Sequence, residues 1–126
     1  MKESSEPAAV VQRQLDAYNA RDVDAILATY AEDAQQFEFP AKLLASGTAE
    51  LRELFAARFQ EPNLHAQLLN RTAMGPIVID HEEVTRTFPE GRGKIQLIAI
   101  YEVQAGKIAK AWFMSGLKPL SPRQVD

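Results

Sequence analysis

Asp80-His81-Glu82-Glu83 sets four ionisable side chains in succession, inside a run rich in Ile, Val and Thr. A histidine beside a carboxylate in an apolar setting is a candidate general base, because burial and a charged neighbour move its pKa near neutrality. Strand side chains alternate, so His81 and Glu83 share one face while Asp80 and Glu82 share the other. The competing reading is a solvated outer face or edge. Which pair turns inward depends on the hairpin between Phe88 and Ile95. A loop of four residues turns Glu82 and Val84 inward, and one of five turns His81 and Glu83 inward, since a one-residue slip exchanges the faces. The adopted expectation is His81 and Glu83.

Glu38 is the other catalytic candidate. If its neighbours Phe37 and Phe39 face the core, alternation sends Glu38 outward, and a β-bulge reverses that. Tyr18, Tyr30, Tyr101 and Trp112 could line a cavity and offer hydroxyl or indole donors to a ligand carbonyl, although aromatics at such spacing are as often plain core. Met114, with Phe55 and Phe59, would supply apolar wall.

Other chemistries find little support. The chain has no cysteine and only two histidines, His65 and His81, without ligand-like spacing, so no metal site is expected. Gly91-x-Gly93 reads as a hairpin turn rather than a phosphate loop, and Ser46-Gly47 and Ser115-Gly116 lack the setting of a nucleophile elbow. No cofactor is expected. With 14 basic against 17 acidic residues and a net charge of -3, nothing marks a nucleic-acid partner. The start of the chain lacks the apolar core of a signal peptide, and no apolar run is long enough for a membrane span. The expectation is a cytoplasmic protein.

The elements that must position these residues follow from periodicity and punctuation. A first helix is predicted from Ser5, with Pro7 in its first turn and Val11, Leu15 and Tyr18 in one stripe. Asp22 reads as the N-cap of a short second helix carrying Val23, Ile26, Leu27 and Tyr30. Alternation around Phe37 and Phe39 marks a strand that Pro40 ends, and Ala41–Gly47 reads as a loop. Thr48 is the predicted N-cap of a third helix, with Leu51, Leu54, Phe55 and Phe59 as its apolar stripe. Then come Leu64–Thr72, Ile77–Phe88, Lys94–Val103 and Lys107–Ser115, joined by turn-forming residues into an antiparallel meander. In a chain of 126 residues this is a single α+β domain, with its core over about residues 8–115 and a C-terminal tail over 117–126 that lies on the surface or docks on a partner subunit.

Leu15-Asp16-Ala17-Tyr18-Asn19-Ala20-Arg21-Asp22-Val23-Asp24 and Tyr30-Ala31-Glu32-Asp33-Ala34 resemble the opening of the nuclear transport factor 2-like superfamily. Tyr101-Glu102-Val103, Gly106-Lys107-Ile108 and Trp112-Phe113 resemble its end. The nearest likeness is to its SnoaL-like and ketosteroid-isomerase-like branch. The resemblance implies three N-terminal helices in the concave face of a strongly curved, mostly antiparallel mixed sheet, a cone-shaped barrel around a mostly apolar pocket. It also implies homodimers through the outer sheet face, where Ile98 and Ile100 make Lys94–Val103 apolar on both sides. The catalytic residues of ketosteroid isomerases do not carry over, however. Their base, tyrosine and protonated aspartate fall near Phe39 (with Glu38 adjacent), Gln14 and Ala99.

If Ala99 points into the pocket, so do Leu97 and Tyr101. The function expected is binding of a small apolar molecule. Isomerase- or cyclase-type proton transfer on a carbonyl compound is one outcome, and a non-catalytic binding or dimeric scaffold module is the alternative.

Overall fold

The computed structural model describes residues 4–116, so the expected tail from Lys118 lies outside the described residues. Helix α1 (Pro7–Ala20) starts with Pro7 at a position whose N–H would have no helical partner, and Glu6 rather than Ser5 precedes it. It ends where Arg21 turns left-handed at φ 56°. Asp22 caps α2 (Val23–Leu27), its Oδ1 accepting from the Ala25 N–H at 3.0 Å.

Tyr30 does not end this helix. It opens strand β1 (Tyr30–Glu38), because the Thr29 carbonyl is taken by the Ile108 N–H at 2.8 Å and Tyr30 pairs with Ile108. The predicted loop over Ala41–Gly47 is mostly strand β2 (Lys42–Ser46), which pairs with β1. Its exposed Leu43 and Leu44 show no alternation that could have announced it. Helix α3 (Gly47–Arg58) is capped at Ser46, not Thr48, and the Ser46 N–H donates to Glu50 Oε1 at 2.8 Å. The Thr48 hydroxyl instead donates to the Glu32 carbonyl, tying α3 to β1.

Strands β3 (His65–Met74), β4 (Ile77–Phe88), β5 (Gly91–Gln104) and β6 (Lys107–Ser115) form the predicted meander. The sheet order is β2-β1-β6-β5-β4-β3, with β1 and β6 parallel and the other neighbours antiparallel. The result is an α+β fold with a six-stranded mixed sheet, in which α3 enters between strands rather than before them. Each hairpin of the meander closes through two residues: Met74 pairs with Ile77, Phe88 with Gly91 and Gln104 with Lys107. Ala105 and Gly106, at φ 52° and 77°, have the left-handed backbone that such a turn demands.

The helices cover one face of the sheet, where Val10, Val11, Ile26, Leu51 and Phe55 meet Val78, Tyr101 and Ile108 in a buried core. The end of α1 is held by Asn19, whose amide donates to the Ala66 carbonyl and accepts from the Ala66 N–H, both at 2.8 Å. That bond pair occupies the backbone of edge strand β3 and fixes Tyr18, one residue earlier, against the sheet. No described helix is long and apolar enough to cross a membrane.

Candidate functional site

The helices do not fill the space above the sheet. A cavity of about 510 Å³ remains between α1, α3 and the inner face of β4, β5 and β6. Its apolar wall includes Leu15, Leu54, Phe55, Leu97 and Phe113, and its polar groups include Gln14, Tyr18, Glu82 and Tyr101. Polar and charged groups make up nearly half of its wall, and a concave space in which apolar surface and polar groups converge is a usual form of a small-molecule site.

The two-residue Pro89-Glu90 turn decides what this wall contains. It places Asp80 opposite Ala99, Glu82 opposite Leu97 and Val84 opposite Ile95, all directed towards the helices. Asp80 is fully buried, and a buried charge needs a partner. Arg71 lies directly across the β3–β4 ladder, and its Nε and Nη2 donate to the two carboxylate oxygens at 2.7 and 2.9 Å. The third arm of the guanidinium, Nη1, donates to Gln12 Oε1 on α1 at 2.9 Å. The Asp80 bond raises the Arg71 pKa and locks its charge in place.

Glu82 stands two residues further along the same face, only 4 % exposed, and has neither ion pair nor hydrogen bond among the described residues. Burial pushes its pKa up to about 7, helped by the Asp80 charge and opposed by Arg71. The two inward carboxylates of β4 are therefore unlike. One is committed to a guanidinium, and the other faces the cavity able to hold or release a proton near neutral pH.

Beside them runs a chain of buried hydrogen bonds. The Tyr101 hydroxyl donates to Gln14 Oε1 at 3.2 Å, and the Gln14 and Gln36 amides donate to the Tyr30 hydroxyl at 3.4 and 3.1 Å. Burial raises the pKa of Tyr30 and Tyr101, so both remain phenols. Tyr18 packs edge-on to Phe59 with ring centroids 5.6 Å apart, and its hydroxyl makes no hydrogen bond among the described residues. Burial raises the Tyr18 pKa too, leaving a protonated donor on the cavity wall.

The residues singled out from sequence divide accordingly. His81 and Glu83 are not on the cavity wall. His81 Nε2 lies 2.7 Å from Gln96 Oε1 and Glu83 pairs with Lys94 at 3.5 Å, both on the outer face. The expected five-residue loop is two residues long, an even count, so the faces exchange. Glu38 does line the cavity at its exposed end, near Lys42 at 3.9 Å. The β1–β2 ladder is irregular between Gln36 and Phe37, and Phe37 turns to the outer face, stacked on Trp112 at 5.8 Å.

Tyr18, Phe55, Leu97 and Tyr101 line the cavity, whereas Tyr30, Phe59 and Ala99 are buried beside it without lining it. Trp112 and Met114 lie on the outer face opposite Ile100 and Ile98, and Phe39 is 46 % exposed. Arg71 is not among the sequence candidates, and Asp80 and Glu82 belong to the ionisable cluster but to the face that the adopted loop length turns outward. A signal existed for them: the turn at Gly75-Pro76 alone sets Arg71 against Asp80. Among the described residues no cluster of His, Asp or Glu could hold a metal ion.

The sequence matches the SnoaL-like domain over residues 11–111, and the chain belongs to that family. Solved structures with the same fold include SalBIII, an epoxide hydrolase/cyclase-like enzyme of pyran ring formation in salinomycin, 22 % identical over 93 % of this chain and 95 % of that one, with a TM-score of 0.79. An LEH-like epoxide hydrolase of M. tuberculosis is 18 % identical over 91 % and 86 %, with a TM-score of 0.74. A cystatin-fold protein of Novosphingobium aromaticivorans is 25 % identical over 82 % and 93 %, with a TM-score of 0.75. No curated protein matches the chain in sequence.

Two outcomes follow from the paired carboxylates. Glu82 binds its proton more tightly folded than unfolded, so folding stability is unaffected below the ordinary glutamate pKa of 4.5 and falls as pH rises towards about 7. The loss is on the order of 3 kcal/mol, and urea unfolding at pH 5 and pH 8 should show Glu82→Gln abolishing most of it. A stability unchanged by pH in the unaltered protein refutes the assignment. Arg71→Met strands the Asp80 charge and should cost about 3–5 kcal/mol. Adding Asp80→Leu should recover most of that, and a double variant no more stable than the single one contradicts the argument.

Proposed function

We propose that the chain binds a mostly apolar small molecule in this cavity and moves a proton on it without a cofactor, as an isomerase or cyclase does, with Glu82 as the acid–base group. The observation that carries this reading is a buried carboxyl on the cavity wall, unpaired among the described residues, with a pKa of about 7. A group poised there is populated in both protonation states at neutral pH, which is what general acid–base catalysis requires.

With a carbonyl compound, the Glu82 carboxylate takes the proton from the carbon next to the carbonyl. The C–H electron pair forms the enolate C=C bond, and the carbonyl π pair moves onto oxygen. The Tyr18 hydroxyl, free of other hydrogen bonds among the described residues, donates to that oxygen. The Glu82 carboxyl then returns the proton to the same carbon or, where a second C=C bond is conjugated with the enolate, to the γ-carbon, as the oxygen's pair re-forms the C=O bond and the double bond shifts into conjugation with it. Ring opening of an epoxide also needs acid at oxygen, and the likeness to SalBIII and to the LEH-like hydrolase is consistent with a site of this type. Glu38, at the exposed end, is placed to meet a ligand on entry rather than to react with it.

The test is α-proton exchange of bicyclic ketones such as 2-tetralone and 2-decalone in D2O, followed by NMR. Glu82→Gln should slow the protein-dependent exchange by about 10²–10⁴-fold, while His81→Ala and Glu83→Gln leave it intact. If no ketone exchanges faster than in buffer, the chain is a binding module and not an enzyme of this kind.

We also propose that two copies pair through the outer sheet face. Ile79, Ile98, Ile100, Trp112 and Met114 lie on adjoining strands of that face, and Ile79 and Met114 are 37 % and 44 % exposed. Sedimentation at micromolar concentration should give a dimer that Ile100→Lys converts to monomer. A monomeric unaltered protein excludes it.

A further inference from the structure

The exposed end of the cavity is lined by two arginines, Arg58 and Arg86, and two glutamates, Glu38 and Glu61. The glutamates are engaged. Glu61 Oε2 accepts from the Asn63 N–H at 2.6 Å and from the Thr87 hydroxyl at 3.0 Å, and Glu38 lies 3.9 Å from Lys42. The arginines differ, although the Arg86 charge acts on Glu61. Neither has an ion pair or hydrogen bond among the described residues. Arg58, in the last turn of α3, sits 6.0 Å over the Phe55 ring, which holds the guanidinium plane beside the apolar wall. Arg86 stands across the ladder from Gly93, a neighbour with no side chain to pair with it. The charges of both arginines and of Glu82 act on the Tyr18 hydroxyl, and all four residues line the same cavity.

We infer that the ligand is an apolar molecule ending in a carboxylate, whose anionic head is held by Arg58 and Arg86 while its body lies along Leu97 and Phe113. This rests on the cavity being the ligand site and names the class of its ligand. A guanidinium offers paired N–H donors that match a carboxylate, and a cation without a partner at a cavity's end is the complement of such a head. The ionised Glu82 carboxylate repels an anion, which favours the charged head at the arginines and the reacting part nearer Glu82. The orientation of the ligand follows from that polarity.

Calorimetric binding of 2-naphthoate and its neutral counterpart 2-naphthamide, at pH 6 and low salt, tests this. The protein should bind naphthoate at least about tenfold more tightly. Arg58→Gln/Arg86→Gln should bring naphthoate to the naphthamide level and leave naphthamide within about twofold, with amide NMR shifts at Leu97 and Tyr101 locating both in the cavity. Equal affinities, a preference that survives in the double variant, or no naphthoate binding overturns the inference. Glu82→Gln separates it from the proton-transfer reading. A preference intact where ketone exchange is absent refutes only proton transfer, and exchange without a preference refutes only the carboxylate head.

Discussion

The β4–β5 hairpin turns on two residues, Pro89 and Glu90, and the rest of the site depends on that count. In an antiparallel ladder the face of every side chain follows from the parity of the turn. With two residues, Val78, Asp80, Glu82 and Val84 all look towards the helices, and Ile79, His81 and Glu83 look away. A loop one residue longer would put an imidazole and a carboxylate inside and would turn the Arg71–Asp80 pair, which the β3–β4 turn fixes, to the outer face. The short turn thus commits the protein to bury two carboxylates close together.

That commitment would be untenable if both were charged and unpaired. The strands resolve it unequally. The β3–β4 turn delivers Arg71 to Asp80, with Gln12 completing the guanidinium's contacts, so the first carboxylate is satisfied from within the sheet and from α1. No such partner reaches Glu82, which is left to answer for its burial by keeping its proton to a higher pH. Two like groups on one strand face acquire different chemistry from their surroundings alone. Across from Asp80 and Glu82 stand Ala99 and Leu97, so the two buried carboxylates come from β4 and not from β5.

Much of this was legible in the residues. The meander, Pro7 in the first turn of α1, the Asp22 cap and the family resemblance follow from periodicity, turn chemistry and the quoted segments. What was not legible had particular causes. Strand β2 is an edge strand with exposed leucines and no alternation, so composition alone reads it as loop. Tyr30 fits a helical stripe locally, yet the parallel pairing with Ile108, a contact far along the chain, takes it into β1. The inward face of β4 required a loop length that Pro89-Glu90-Gly91-Arg92-Gly93 leaves ambiguous, since any of its glycines can serve as the turn or as the strand beyond it. The buried ion pair was within reach of the turn at Gly75-Pro76, but only once a charge on β4 was taken to be buried.

The stack of Phe37 on Trp112 has a practical meaning. Trp112 is the chain's single tryptophan, and it sits on the far side of the sheet from the cavity. Its ultraviolet emission therefore reports on whatever covers that outer surface and is blind to the filling of the cavity. An intrinsic-fluorescence titration would show association between copies and stay silent about small-molecule occupancy, so the two events can be followed separately in the same sample.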